Sequence, residues 1–169
     1  ACLKLRQDGC PRRPSRRRAA GIVAAMQART IGVVIHPRRE ITAPLDALKA
    51  WCDEHGARLV QLFGAEKGRS VAEPGAPGES DLVVALGGDG TTLAAVNAAG
   101  DEPVLGVACG SLGALTATTG DDVGAALDRV AAGDWTPRRL PALAVDTGDG
   151  TPLPAVNDNP TSLCSMSNA

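Results

Sequence analysis

Apolar residues in this chain fall into short runs separated by polar links rich in glycine and proline. Thr30–Ile35, Leu82–Leu86 and Val104–Ala108 are continuous apolar or β-branched runs, which predicts strands covered on both faces. Arg58–Phe63 predicts a further strand. Between the first two of these, Leu45, Leu48, Trp51, Cys52 and His55 recur at helical spacing. Thr42 is placed to cap that helix, Pro44 suits its first turn and Gly56 closes it. A second helix begins over Thr91–Ala99, and a third spans Asp121–Ala132 through Val123, Leu127 and Val130 and ends at Gly133. Residues 64–80 hold Gly64, Gly68, Pro74, Gly75, Pro77 and Gly78, and predict a surface loop.

Strands alternating with helices over short links specify an α/β fold. The expected architecture is an open, doubly wound, Rossmann-like parallel sheet. Beyond residue 139 the pattern changes. Leu140–Asp146 and Leu153–Val156 are short apolar segments separated by Thr147-Gly148-Asp149-Gly150-Thr151, which reads as a hairpin turn. They predict only the first strands of a second, all-β domain. The predicted division is an Arg-rich disordered extension (1–25), an α/β nucleotide-binding domain (26–139), the start of a truncated β domain (140–158) and a small, polar, disordered tail (159–169).

Composition narrows this picture. Aromatic residues are 2% of the 169 positions, so the core has to be built from Val, Leu, Ile and Ala. No apolar run reaches the length of a membrane span. The net charge of −2 conceals a segregated distribution: residues 1–29 carry +7, which leaves −9 for the rest. The basic stretch reads as a solvated tail. Its arginine content also suits a transit peptide or a nucleic-acid role. Met26, just ahead of the first strand, is a candidate native start, with residues 1–25 as upstream or artefactual sequence. An acidic body argues against nucleic-acid binding by the folded part. The five cysteines (Cys2, Cys10, Cys52, Cys109 and Cys164) show neither a Cys-x-x-Cys pair nor a histidine at ligand spacing. No metal site or disulfide framework is expected, and the body reads as a reduced, cytoplasmic protein.

The chemistry is expected where the third strand ends. Residues 82–93 run from an apolar strand into Gly87-Gly88-Asp89-Gly90-Thr91 and then a helix. Glycines there permit close approaches that a Cβ would forbid, and the amides of a helix start suit an anion such as phosphate. A carboxylate inside that cradle would repel phosphate unless it had a role in proton transfer or metal binding, so the pattern points to phosphoryl transfer. The same tetrad is also ordinary turn chemistry. The order strand–loop–helix, and a second glycine-rich block from Leu105 to Thr116, favour the functional reading. In open α/β sheets ligands bind beyond the carboxyl ends of strands, which is where this loop falls.

Three blocks stand in order: Gly87-Gly88-Asp89-Gly90-Thr91, then Leu105-Gly106-Val107-Ala108-Cys109-Gly110-Ser111-Leu112-Gly113-Ala114-Leu115-Thr116, then Ala155-Val156-Asn157-Asp158. Over roughly residues 30–158 the chain resembles the NAD kinase family, in its N-terminal part. The resemblance implies that ATP, or polyphosphate in some members, phosphorylates the adenosine-ribose 2′-hydroxyl of NAD to give NADP, with Mg²⁺ neutralising the triphosphate. It implies that Asp89 sits at that hydroxyl as general base or orienting acceptor. Gly87, Gly88, Gly90 and Thr91 would then shape the phosphate-binding turn, and Gly110 and Gly113 would let the second loop pass close to the ligand. Asn157 and Asp158 would hold the NAD adenosine; alone they better suit an Asx turn, and only their register in the family pattern reverses that. The implied partners are small-molecule nucleotides, with neither nucleic acid nor membrane, and a homo-oligomer for the full-length form.

Ala108 stands where the family usually has Asn, and Ala114 where it usually has Phe. The family's β-rich second domain is nearly missing, so little or no kinase activity is expected of this chain alone. A lipid kinase of the diacylglycerol or sphingoid type shares the first block, but the residues that follow here match it less well. A phosphofructokinase needs a glycine-rich turn after the first strand, where this chain has His36-Pro37-Arg38-Arg39. A non-catalytic nucleotide-binding remnant is the third reading. His36, with Arg38 and Arg39 beside it, is a candidate for a place near phosphate, but the trio reads better as a solvated loop. His55 reads as a helix-end residue, and Trp51 and Trp135 as packing residues.

Overall fold

The computed structural model describes Met26 and residues 28–62, 69–99, 101–138, 140, 142–146 and 152–156, the last two segments as backbone only. The chain divides into two units. The larger, Ile22–Arg138, contains β1 (Thr30–Ile35), α1 (Thr42–His55), β2 (Arg58–Gln61), β3 (Glu73–Pro74), β4 (Leu82–Gly87) and α2 (Asp89–Ala98). It continues with β5 (Val104–Ala108), β6 (Thr118–Thr119), a 3-10 turn (Gly120–Asp122) and α3 (Val123–Ala131). Its six strands form one sheet in the order β3-β2-β1-β4-β5-β6, with every adjacent pair parallel. From β1 the chain moves outward through β2 and β3, then returns with β4 on the other side of β1. The winding therefore reverses between β1 and β4, where the carboxyl ends of two neighbouring strands diverge into connections on opposite faces.

Alternation along the strands builds two apolar layers. Ile31 and Val33 of β1, Leu82, Val84 and Leu86 of β4, and Leu105 and Val107 of β5 face Leu45, Leu48, Trp51 and Cys52 of α1 and Val123, Leu127 and Val130 of α3. Val34, Val83 and Ala85 point the other way, onto Ala95 and Ala98 of α2. A fully buried Val, Leu or Ile side chain is worth about 1.5–3 kcal/mol, so this two-sided burial is what selects the parallel sheet. α2 is poor in large residues and lies close against β4 and β5 through alanines. Trp51 joins α1 to α3: its indole Nε1 donates to Asp128 Oδ1 at 2.7 Å. The exposed ring of His55 stacks on Trp51 with centroids 4.0 Å apart, which explains its place in the apolar spacing of α1.

Several expected boundaries shift. β2 ends at Gln61, and β4 runs one residue further, to Gly87. Thr42 is the first residue of α1, not its cap, and Ile41 at the cap position makes no side-chain hydrogen bond. The carboxylate of Glu40 takes over that task by accepting the Thr42 amide at 2.8 Å. The third helix is shorter than expected because its first turn winds as the 3-10 turn. Within the expected surface loop, Glu73 and Pro74 pair with Val60 and Gln61 as β3, and the expectation did not include β6 either. None of the helices among the described residues is long and apolar enough to cross a membrane.

The second unit holds an antiparallel hairpin of β7 (Ala142–Asp146) and β8 (Pro152–Val156), with Ala142 opposite Val156 and Asp146 opposite Pro152. Residues 1–25 and 159–169, the turn 147–151, and Asn157 and Asp158 lie outside the described residues.

Candidate functional site

β4 delivers the first glycine-rich block to the point where the winding reverses. Gly88 is extended (φ −161°, ψ −164°) and occupies the N-cap, so α2 starts at Asp89, two residues earlier than expected. Asp89 is thus held by the first turn of a helix instead of hanging in a loop. The amides of that first turn have no intrahelical acceptors. Gly87 leaves room for Thr91, whose Cβ would lie 2.7 Å from a Cβ at that glycine. Thr91 is buried and shapes the turn from beneath.

The second block closes over the first. The Cys109 amide donates to Gly87 O at 2.7 Å, and Gly110 follows with φ 140°, a backbone region that L side chains rarely adopt. The loop then returns so that the amides of Ala114 and Leu115 donate to Asp89 Oδ2 at 3.0 Å and Oδ1 at 2.9 Å. The Leu115 bond, followed by the Ala114 bond, holds the Asp89 carboxyl below the usual carboxylate range against a small opposing effect of burial. Gly113 makes this approach possible, since a Cβ there would sit 2.6 Å from Asp89 Cγ. The loop is braced by Gly113 N–H donating to Thr116 Oγ1 at 2.8 Å and by Arg138 Nη1 donating to Ala114 O at 3.2 Å.

A groove of about 580 Å³ opens beside Asp89. One wall is Val34, Ile35 and His36 from the end of β1 with Pro37 and Arg39 from the following loop. The other is Gly88, Asp89, Gly90 and Thr91 with Ala94 and Asn97 further along α2. It therefore lies between β1 and β4, where the strand order reverses. His36 lies half-buried in this wall, so the expectation of a solvated loop does not hold for it. Its Nδ1 accepts the amides of Arg38 at 3.1 Å and Arg39 at 3.0 Å. Burial first, then the charges of Arg39 and Arg38, push its pKa below the ordinary 6.5. Arg39 is exposed, as that expectation has it, and its guanidinium lies across both glycine blocks, with Nη1 donating to Cys109 O at 3.3 Å. Arg38 remains exposed.

The structure thus brings Gly87, Gly88, Asp89, Gly90, Thr91, Gly110 and Gly113 together, while Asn157 and Asp158 are outside the described residues. Sequence reasoning passed over Asn97 and the two amides that hold Asp89, and it weighed Arg39 only as part of a loop beside phosphate that reads better as solvated. For Arg39 a signal existed, because it follows the strand that forms one side of the reversal point. Among the described residues no three His, Cys, Asp or Glu side chains converge as a metal site. Cys52 is buried with its thiol pushed up to about 11 by desolvation and then by Asp53, which leaves it unreactive.

Comparison with known proteins identifies the family from sequence. Residues 21–135 match the family described as ATP-NAD kinase N-terminal domain. NAD kinase 1 of Streptomyces coelicolor is 35% identical over 136 residues, which is 77% of this chain and 38% of that protein. The NAD kinase of Symbiobacterium thermophilum is 41% identical over 117 residues, 62% of this chain and 41% of its own. The crystal structure of yeast NADH kinase complexed with NADH aligns with 76% of this chain and 46% of its own, at a TM-score of 0.49 and 17% identity. The chain spans about two fifths of the length of the two bacterial relatives.

Proposed function

Since the chain belongs to the NAD kinase family, through the N-terminal domain of that family, we propose that the whole protein transfers a phosphoryl group from ATP, or from polyphosphate, to the adenosine-ribose 2′-hydroxyl of NAD. The observation that carries this reading is the position of Asp89. It stands on the first turn of α2, at the point of strand reversal, with its carboxylate fixed beside a groove.

On this reading the 2′-hydroxyl of NAD donates a hydrogen bond to Asp89. Both carboxylate oxygens already accept an amide, and the lowered pKa makes the group a poor proton store. Asp89 therefore acts chiefly as the acceptor that orients the hydroxyl for in-line attack; the proton leaves to solvent or phosphate. Gly87, Gly88, Gly90 and Thr91 form the phosphate turn, with Gly110 and Gly113 as the roof over it. Most of the gain in phosphoryl transfer comes from positioning and charge stabilisation, which is what such a turn supplies. Mg²⁺ comes as part of the substrate, on the triphosphate oxygens. Asn157 and Asp158 hold the adenosine of NAD, and a homo-oligomer in a reduced cytoplasm is the setting that goes with these substrates.

The test is a coupled NADP assay on the full-length gene product with ATP or polyphosphate as donor, alongside Asp89→Asn. NADP formation that falls about 100-fold or more in the variant is the expected result. Phosphorylation of diacylglycerol or a sphingoid base without NADP would favour the lipid-kinase reading. Silence towards both classes of acceptor would leave a nucleotide-binding remnant.

A further inference from the structure

The glycine blocks account for the shape of the groove but supply no positive charge to it. Arg39 does. Its guanidinium stands 3.2 Å from where a Cβ on Gly110 would be and 3.5 Å from the corresponding point on Gly88, so it spans the two loops. Its backbone is fixed on both sides: the amide donates to His36 Nδ1 at 3.0 Å, and the carbonyl accepts Arg69 Nη1 at 2.8 Å. The single hydrogen bond of the guanidinium among the described residues is the long one to Cys109 O, at 3.3 Å. Among the described residues no carboxylate lies within 4.0 Å of it, and the one ion pair is Arg129 with Asp134. A guanidinium has five N–H donors in a rigid fork, and Arg39 lines a groove that also holds the first turn of a helix.

We propose that Arg39 grips the phosphate chain of the phosphoryl donor, bridging the two glycine-rich loops and neutralising charge on the transferring group. This rests on the phosphoryl-transfer reading, and it adds a residue to the site. The phosphate oxygens take the donors that Cys109 O leaves free, in the paired geometry that suits guanidinium and phosphate. His36 and Arg69 position Arg39 through its backbone.

The experiment is calorimetric titration of this chain with inorganic tripolyphosphate and Mg²⁺ at low salt, which isolates the phosphates from the base. Arg39→Ala is expected to weaken binding about tenfold or more, as the loss of a charge-assisted contact implies. Arg39→Lys should recover part of the affinity, since it restores charge without the fork. Arg58→Ala, an exposed arginine at the opposite end of the sheet, carries the same change in net charge and should bind as the unaltered chain does. Arg39→Gln gives a second reading should the alanine variant fold poorly. Equal affinity of the unaltered chain and the Arg39 variants overturns the proposal, as does an unaltered chain that does not bind tripolyphosphate. Arg39-dependent binding by this chain, together with no NADP formation by the full-length gene product, would refute the NAD kinase reading and leave Arg39 as a phosphate-binding residue.

Discussion

Asp89 and Gly113 meet so closely that a methyl group on the glycine would lie 2.6 Å from the carboxylate carbon, although the two residues belong to different strand–loop units. The carboxylate is therefore held by the loop after β5 as much as by its own helix.

Gly113→Ala should displace either the loop or the acid. The variant is expected to lose NADP formation in the full-length protein and to unfold more readily, by about 1–3 kcal/mol from overpacking. Gly90→Ala is the contrast: a Cβ there meets nothing within 4 Å, and alanine favours a helical turn. It should raise stability by about 0.5–1 kcal/mol in denaturant titration. Equal effects of the two substitutions would mean that the Asp89–Gly113 approach is not a constraint.

Asp89→Asn tests the two amide bonds directly. Its side-chain NH₂ would face one of the amides of Ala114 and Leu115, donor against donor, so the loop should loosen even without ligand. Faster hydrogen exchange at those two amides is the expected outcome. Because the carboxyl is held below its usual range, Asp89 stays ionised throughout the pH range of ordinary assays. A plot of log kcat/KM against pH should therefore show no acid limb that belongs to Asp89 above pH 5.

How far the sequence discloses this site depends on the residue. β1 and β5 match their apolar runs residue for residue, since strands buried on both faces need unbroken hydrophobicity. Glu73-Pro74 has no such signal, and β3 exists through backbone pairing to β2 alone. The place of the groove follows from strand order, which the alternating pattern specifies. What fixes Asp89 does not, because its partners are main-chain amides 25 and 26 positions away and every residue but proline has one. Arg39 reads in sequence as part of a charged loop after the strand at the reversal point, and its contact with the second glycine block, through Cys109 O, is visible only in the fold.

His36 should make stability depend on pH. Its folded pKa is depressed, so the unfolded chain binds the proton more readily. Unfolding free energy then rises with pH across the window from the depressed value up to about 6.5, and falls as the medium is acidified through it. Protonation would also turn Nδ1 into a donor facing the amides of Arg38 and Arg39. Thermal melts from pH 8 to pH 5 should show the unaltered chain losing ground relative to His36→Asn. Parallel curves would remove His36 from the account.

Among the described residues one side-chain hydrogen bond, Trp51 Nε1 to Asp128 Oδ1, adds to the apolar packing between α1 and α3. Asp128→Ala should cost about 0.5–1.5 kcal/mol, while Asp128→Asn keeps an acceptor and most of the stability. Chemical denaturation monitored by tryptophan emission would measure both. An Asn variant as weak as the Ala variant would place the effect in charge, not in the hydrogen bond.

Both outer margins of the sheet consist of pairs of residues, Glu73–Pro74 on one side and Thr118–Thr119 on the other. A strand that brief exposes too few unpaired backbone groups to template a neighbouring chain, and the proline removes a donor from one of them. Strand addition onto these two end strands is thereby disfavoured, which leaves side chains on the helical faces and loops as the more favourable ground for self-association of this unit.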